Sequence, residues 1–172
     1  MAGCVHIYCG DGKGKSTASV GLSVRAAGAG KKVLFSQFFK DGSSSEIDVL
    51  RSIPNITVEL CPVTYGFYKF MNEEKRAAAR TDYRALLDRV LALAPSMDLV
   101  ILDEIISTCN HGVVEEAVLL DFLAHKPEHL EVVLTGRNPS EALQAASDYI
   151  SEMRKVKHPF DRGIPARRGI EF

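Results

Sequence analysis

The sequence predicts an α/β fold, a mostly parallel sheet with helices on both faces, and three observations predict it. Short β-rich runs alternate with stretches of helical period along the chain. One of those runs, "LVIL" at residues 99–102, is apolar throughout, as a strand covered on both faces requires. The first run passes through a glycine-rich turn directly into a helical stretch, which is how one crossover of a parallel sheet begins. With 172 residues and 46% hydrophobic content, the chain can bury one sizeable core, and residues 1–172 read as a single domain.

Each element has its own signal. "VHIY" at 5–8 is a strand, and residues 15–27 form a helix ended by Gly28 and Gly30. "KVLFSQFF" at 32–39 is a second strand, and "ITVEL" at 56–60, entered after Pro54 and Asn55, is a third. A long helix spans 72–94: Asn72 suits the N-cap, Glu73 and Glu74 complement the first turn, and Pro95 stops it. Residues 99–102 are a strand, 113–124 a helix, 131–136 a strand, and 140–146 a helix beginning after Pro139. In such sheets binding groups collect at the carboxyl ends of the strands. Polar groups stand there after Tyr8, after Leu102 and after Leu134, so three separate segments converge on one edge.

Composition excludes several classes. The chain has 21 basic and 22 acidic residues, so it is no polycation made for nucleic acid. No apolar run approaches the ~20 residues of a membrane helix, and the glycine loop occupies the place of a signal-peptide core. Cys4, Cys9, Cys61 and Cys109 form no C-x-x-C pair, which argues against a zinc ribbon and suits mostly buried, reduced thiols. A soluble, cytoplasmic protein is expected.

Two motifs carry chemistry. In "YCGDGKGKST", Gly14-Lys15-Ser16 is the end of a phosphate-binding loop set between strand and helix. Glycines let backbone N–H groups approach phosphate oxygens, Lys15 can reach between phosphates, and Ser16 can offer its hydroxyl to Mg²⁺. The new helix adds its positive dipole end. The position of the usual first glycine is Cys9, and the dinucleotide pattern G-x-G-x-x-G fails because Lys15 stands at its last glycine. A glycine turn with incidental lysines is the plain alternative. "LVILDE" puts Asp103 and Glu104 after an apolar strand, where an acid holds Mg²⁺ directly or through water. Alone the pair would be a solvated strand end; together with the loop it indicates ATP or GTP with Mg²⁺. Spacing does not name the reaction. Pro127 between His125 and His129 spoils a helical metal pair and leaves surface histidines. The basic stretch 154–168 reads equally as a solvated tail or a second anion site.

Over nearly its whole length the chain resembles the P-loop-type ATP:corrinoid adenosyltransferases, which act on cob(I)alamin or cob(I)yrinic acid a,c-diamide. The resemblance lies in "GDGKGKST", "VRAAGAGKKVLFSQFFK", "LVILDE", "VVLTGR" and "SDYISEMRKVKHPFDRGIPARRGIEF". It implies a RecA-like fold, a homodimer, and transfer of the 5′-deoxyadenosyl group of ATP to Co(I) with release of triphosphate. It further implies ATP seated in reverse on the loop, leaving C5′ exposed. Gly10, Asp11, Gly12, Lys13, Gly14, Lys15, Ser16 and Thr17 then cradle ATP with Arg25 and Arg137. Ser16, Asp103 and Glu104 surround Mg²⁺ (or Mn²⁺), and Lys15 and Glu104 serve catalysis. A flavoprotein is a candidate reductant, with no nucleic acid or membrane as partner.

In that family apolar side chains press on the lower corrinoid face and remove an axial ligand, which makes Co(I) accessible. Phe67 and Tyr68 of "TYGFYKF" are the candidates here; the alternative packs them into the core between the third strand and the long helix. Relatives often carry a tryptophan near this G-F pair, where this chain has Lys69 and no tryptophan at all. Some also carry an N-terminal extension over the site, whereas this sequence starts almost at its first strand. The rival readings are a small P-loop kinase or ATPase, and a nucleotide-gated, corrinoid-binding regulator.

Overall fold

Successive residues on each strand face opposite sides of the sheet, and both sides here find helices to cover their apolar side chains. The computed structural model describes residues 2–40, 44–66 and 68–172. The strands are β1 (Val5–Cys9), β2 (Val33–Gln37), β3 (Ile56–Leu60), β4 (Leu99–Asp103), β5 (Glu131–Thr135) and β6 (Tyr149–Glu152). The helices are α1 (Lys15–Gly28), α2 (Glu46–Ser52), α3 (Glu73–Leu93), α4 (Ile105–Asn110), α5 (Glu116–His125) and α6 (Glu141–Ala145). All strand pairs are parallel, in the order β3-β2-β4-β5-β1-β6. The α/β class and its parallel sheet are therefore as expected.

Alternation along the strands divides the core in two. Leu34, Val100, Leu102, Val132 and Leu134 face Tyr83, Leu86, Leu87 and Val90 of α3, with Leu119 of α5 and Leu143 of α6. Val33, Phe35, Leu99, Ile101 and Val133 face Ala26 and Ala27 of α1 and Ile47 and Leu50 of α2. A fully buried aliphatic side chain contributes about 1.5–3 kcal/mol, so these two layers carry most of the stability.

Caps behave as the residue types dictate. The Asn72 side chain accepts from Lys75 N–H at 2.9 Å and starts α3, and Ser140 accepts from Leu143 N–H at 3.1 Å to start α6. Three elements have no counterpart in the sequence reading. Helix α2 is short and hangs on Ile47 and Leu50, α4 is a six-residue turn rich in β-branched residues, and every β6 residue is exposed. Helix α5 begins at Glu116 rather than at 113, because Val113 and Val114 are buried in the turn before it. Among the described residues no helix is long and apolar enough to cross a membrane. The four cysteines are unpaired; Cys9 is buried and the other three are half-buried, fewer deeply buried thiols than expected.

Strand register is what builds the site. Gln37 pairs with Asp103, Leu102 with Leu134, Tyr8 with Thr135, and Cys9 with Glu152. The carboxyl ends of β1, β2, β4 and β5 therefore finish level with one another.

Candidate active site

Between β1 and α1 the chain turns through Gly10 to Gly14, and the glycines serve different ends. At Gly12 the main chain after β6 lies so close that an added Cβ would sit 2.6 Å from Met153 O, while Gly12 N–H donates to that oxygen at 2.6 Å. At Gly14 nothing crowds a side chain; its φ of 121° is the requirement. Gly14 also N-caps α1 without a side-chain hydrogen bond, so the first-turn N–H groups of a 14-residue helix face the cleft. Cys9, at the position of the usual first glycine, is simply the last residue of β1, in extended backbone. Gly12→Ala is expected to cost about 1–3 kcal/mol by overpacking against Met153, read as a lower midpoint in urea, whereas an unchanged midpoint would show that the tail yields freely.

Lys15 is the first residue of α1 and is buried. Its ammonium donates to Gly10 O and Gly12 O, both at 2.8 Å. Burial holds its pKa below the ordinary lysine value, while the carboxylate of Glu104 opposes that shift. Lys13 is exposed.

Asp103 is the hub of the floor. It is wholly buried and accepts from Ser16 Oγ (3.1 Å), Gln37 Nε2 (3.1 Å) and Lys40 Nζ (3.0 Å) on Oδ2, and from Thr135 Oγ1 (2.7 Å) on Oδ1. Three strands and α1 meet at this one carboxylate. Next to it Glu104 adopts a left-handed backbone, φ 62°, which a non-glycine residue keeps only when held. The hold is visible: Glu104 N–H donates to Thr135 Oγ1 at 2.9 Å, and Ser107 Oγ donates to Glu104 Oε2 at 2.6 Å.

Above this floor lies a cleft of about 720 Å³. Of the residues singled out by sequence, Asp11, Gly12, Lys13, Gly14, Lys15, Ser16, Thr17, Glu104 and Arg137 line it, and Asp103 lies just beneath, bonded to Ser16. Gly10 is drawn in through Lys15. Arg25 does not join them: it is exposed in the last turn of α1, ten residues beyond Lys15, which is about 15 Å along a helix. Tyr68 lies apart from the cleft lining, stacked on His111 at 4.5 Å, with Arg76 over its ring at 5.0 Å and Phe39 at 5.9 Å. Phe67 lies outside the described residues. His125 and His129 are exposed, one against Asp121 and the other on Met97 O.

Sequence reasoning missed Gln37, Lys40 and Glu171. The first two stand at the carboxyl end of β2, so the strand-end rule that found Asp103 could have found them. Glu171 had no such signal: the tail bends back so that His158, Gly169 and Glu171 line the cleft. On the way, Lys155 N–H donates to Asp11 Oδ1 at 2.9 Å, which keeps the Asp11 carboxyl below its usual range.

The donors present suit a magnesium-type cation. Among the described residues no group of three or more His, Cys, Asp or Glu could enclose a metal. Such a cation takes one or two protein oxygens and completes its shell from phosphate and water. Ser16 Oγ and the Glu104 carboxylate offer that number beside the loop. Thiol chemistry is disfavoured, since burial raises the pKa of all four cysteines.

A loop that can grip a triphosphate, an acid beside a serine, and no thiolate nucleophile still leave several reactions open. Comparison with known proteins decides the family: the model for "ATP:corrinoid adenosyltransferase BtuR/CobO/CobP" matches residues 1–172. The chain belongs to this family. A corrinoid adenosyltransferase of Pseudomonas aeruginosa is 35% identical over 172 residues, covering 99% of this chain and 84% of its own length. That of Escherichia coli K12 is 34% identical, and so is the corrinoid adenosyltransferase CobA of Salmonella typhimurium; each alignment covers 99% of this chain and 86% of the relative. Solved structures support the fold alone. A KaiC-like protein of Pyrococcus horikoshii aligns at TM-score 0.52 and 13% identity, over 91% of this chain and 75% of that one. EssC (ATPases 2 and 3) of Geobacillus thermodenitrificans aligns at 0.55 and 16%, over 97% and 35%. This adenosyltransferase thus has a fold like theirs and a sequence like the enzymes of its family.

Proposed function

We propose that the cleft holds the triphosphate of ATP and presents the ribose C5′ to the Co(I) of a reduced corrinoid. Co(I) supplies an electron pair to C5′, the cobalt–carbon bond forms, and the C5′–O bond breaks with its electrons passing to the departing triphosphate. The observation that carries this reading is the family match along the whole chain, coupled to a cleft whose polar side chains suit charge on a leaving group. Co(I) is already a strong nucleophile, so no general base is required. The protein's share is orientation and electrostatic stabilisation of the leaving chain.

In this reading the loop N–H groups from Gly10 to Thr17 and the Lys15 ammonium take the phosphates, with Arg137 at the cleft wall. Lys15 leaves its loop carbonyls to do so. Ser16 and Glu104 hold the divalent cation, Mg²⁺ or Mn²⁺, which when bound neutralises phosphate charge. Asp103 orients Ser16 from below. Arg25 keeps no role in this cleft. The corrinoid would lie toward Phe67 and Tyr68; Phe39, in ring contact with Tyr68, is joined directly to Lys40 of the cleft. A homodimer is the expected assembly, and a flavoprotein the candidate electron donor.

Incubation with ATP, a divalent cation and chemically reduced cobalamin is expected to yield adenosylcobalamin and triphosphate in equal amounts. ADP or phosphate appearing at the rate of ATP loss would instead indicate a kinase or ATPase, and unconsumed ATP a regulator. Phe67→Ala and Tyr68→Ala are expected to spare ATP binding and transfer to preformed Co(I), and to slow transfer sharply when Co(II) must be reduced on the enzyme. Loss of both activities together with heat stability would return these rings to the core.

A further inference from the structure

Ser16, which would receive a divalent cation, already shares a lysine with the Asp103 beneath it. Lys40 Nζ lies 3.0 Å from Asp103 Oδ2 and donates to Ser16 Oγ at 3.1 Å. Asp103 is wholly buried, and a carboxylate out of water needs a compensating charge; Lys40 is its ion-pair partner. Lys15, the buried lysine of the cleft, donates to two loop carbonyls and acts on Asp103 through space, with no hydrogen bond to it among the described residues. The two lysines therefore have different tasks.

A divalent ion on Ser16 would stand within ångströms of the Lys40 ammonium, and like charges at that distance in a partly buried site repel strongly. Both cannot stay. The Lys40 side chain is 28% exposed and flexible, so it can swing out of the Asp103–Ser16 pair toward the cleft it lines. A triphosphate seated there would be the nearest uncompensated anion.

We propose that Lys40 and a divalent cation compete for the Ser16–Asp103 pair. Lys40 is the counter-ion of Asp103 when no metal is bound, and it becomes a triphosphate ligand when one is. This rests on reading the cleft as a triphosphate site, and it adds a positioning residue that couples metal binding to nucleotide binding.

The test uses Mn²⁺ without nucleotide, followed by electron paramagnetic resonance, and ATP binding at saturating Mn²⁺. Lys40→Met and Lys40→Gln are expected to bind Mn²⁺ about tenfold more tightly than wild type, and ATP at saturating Mn²⁺ about tenfold more weakly. Lys40→Gln retains an amide donor for Asp103 and carries the comparison if Lys40→Met fails to fold. In wild-type protein, saturating Mn²⁺ should also raise the rate at which an acylating reagent modifies Lys40, with Lys13 unchanged. Equal Mn²⁺ affinity in wild type and Lys40→Gln, or a Lys40 acylation rate that Mn²⁺ does not raise, overturns the proposal. None of the three readouts involves the corrinoid, so a failure of the transfer reading shows separately, in the phosphate product formed by the wild type.

Discussion

Asp103→Ala is expected to cost roughly 3–5 kcal/mol of folding stability, the range for removing one partner of a buried ion pair. The carboxylate has no exposed surface, and four donors from β2, β5, α1 and the residue at 40 converge on it. Alanine would leave the Thr135 hydroxyl and Gln37 amide without that acceptor and Lys40 without its counter-charge, while opening a polar void beneath the loop. For a chain of this size the loss corresponds to a fall of roughly 6–20 °C in melting temperature. Asp103→Asn should fall between the two, since it keeps the shape but turns an amide donor toward groups that already donate. A melting temperature within a degree or two of wild type for Asp103→Ala would mean that the network contributes little.

Lys15→Ala is expected to lower kcat/KM for ATP about ten- to a hundredfold, and Lys13→Ala only about twofold. A charge-assisted hydrogen bond of ~1.5–3 kcal/mol sets the first figure. Exposure sets the second: water and salt replace most of what a solvated lysine offers. Lys15 is buried at the helix start with its ammonium already inside the loop, whereas Lys13 lines the cleft from an exposed position in solvent. ATP titrations on both variants separate the cases, and equal losses would place the phosphates elsewhere along the loop.

Several features were legible because local chemistry dictates them. Asn72 and Ser140 cap their helices with the hydrogen bonds their side chains are built to make. The unbroken "LVIL" run could only be a strand buried on both faces, and it lies in mid-sheet between β2 and β5. The loop from Gly10 to Ser16 announced itself through glycine and lysine spacing, as did the acids after β4. Arg25, named by resemblance alone, lies outside the cleft lining because helical rise carries it to the far end of α1.

What tertiary structure alone decided is how distant segments complement one another. Strand order is not written in any local period, so nothing in "DYISE" signals that β6 would pair with β1, with every side chain exposed. That pairing brings Met153 O onto Gly12 and explains a glycine that the sequence assigned wholly to phosphate. It also lets the tail bend back to the cleft. The same holds for Lys40, an unremarkable residue in "FFK" until parallel register sets β2 beside β4 and leaves a buried carboxylate needing a cation. Alternation of apolar residues and the hydrogen-bonding habits of asparagine, serine and glycine act within a few residues, so a sequence carries them openly. Charge compensation and close backbone approach act between residues scores of positions apart, and only the folded chain brings those partners together.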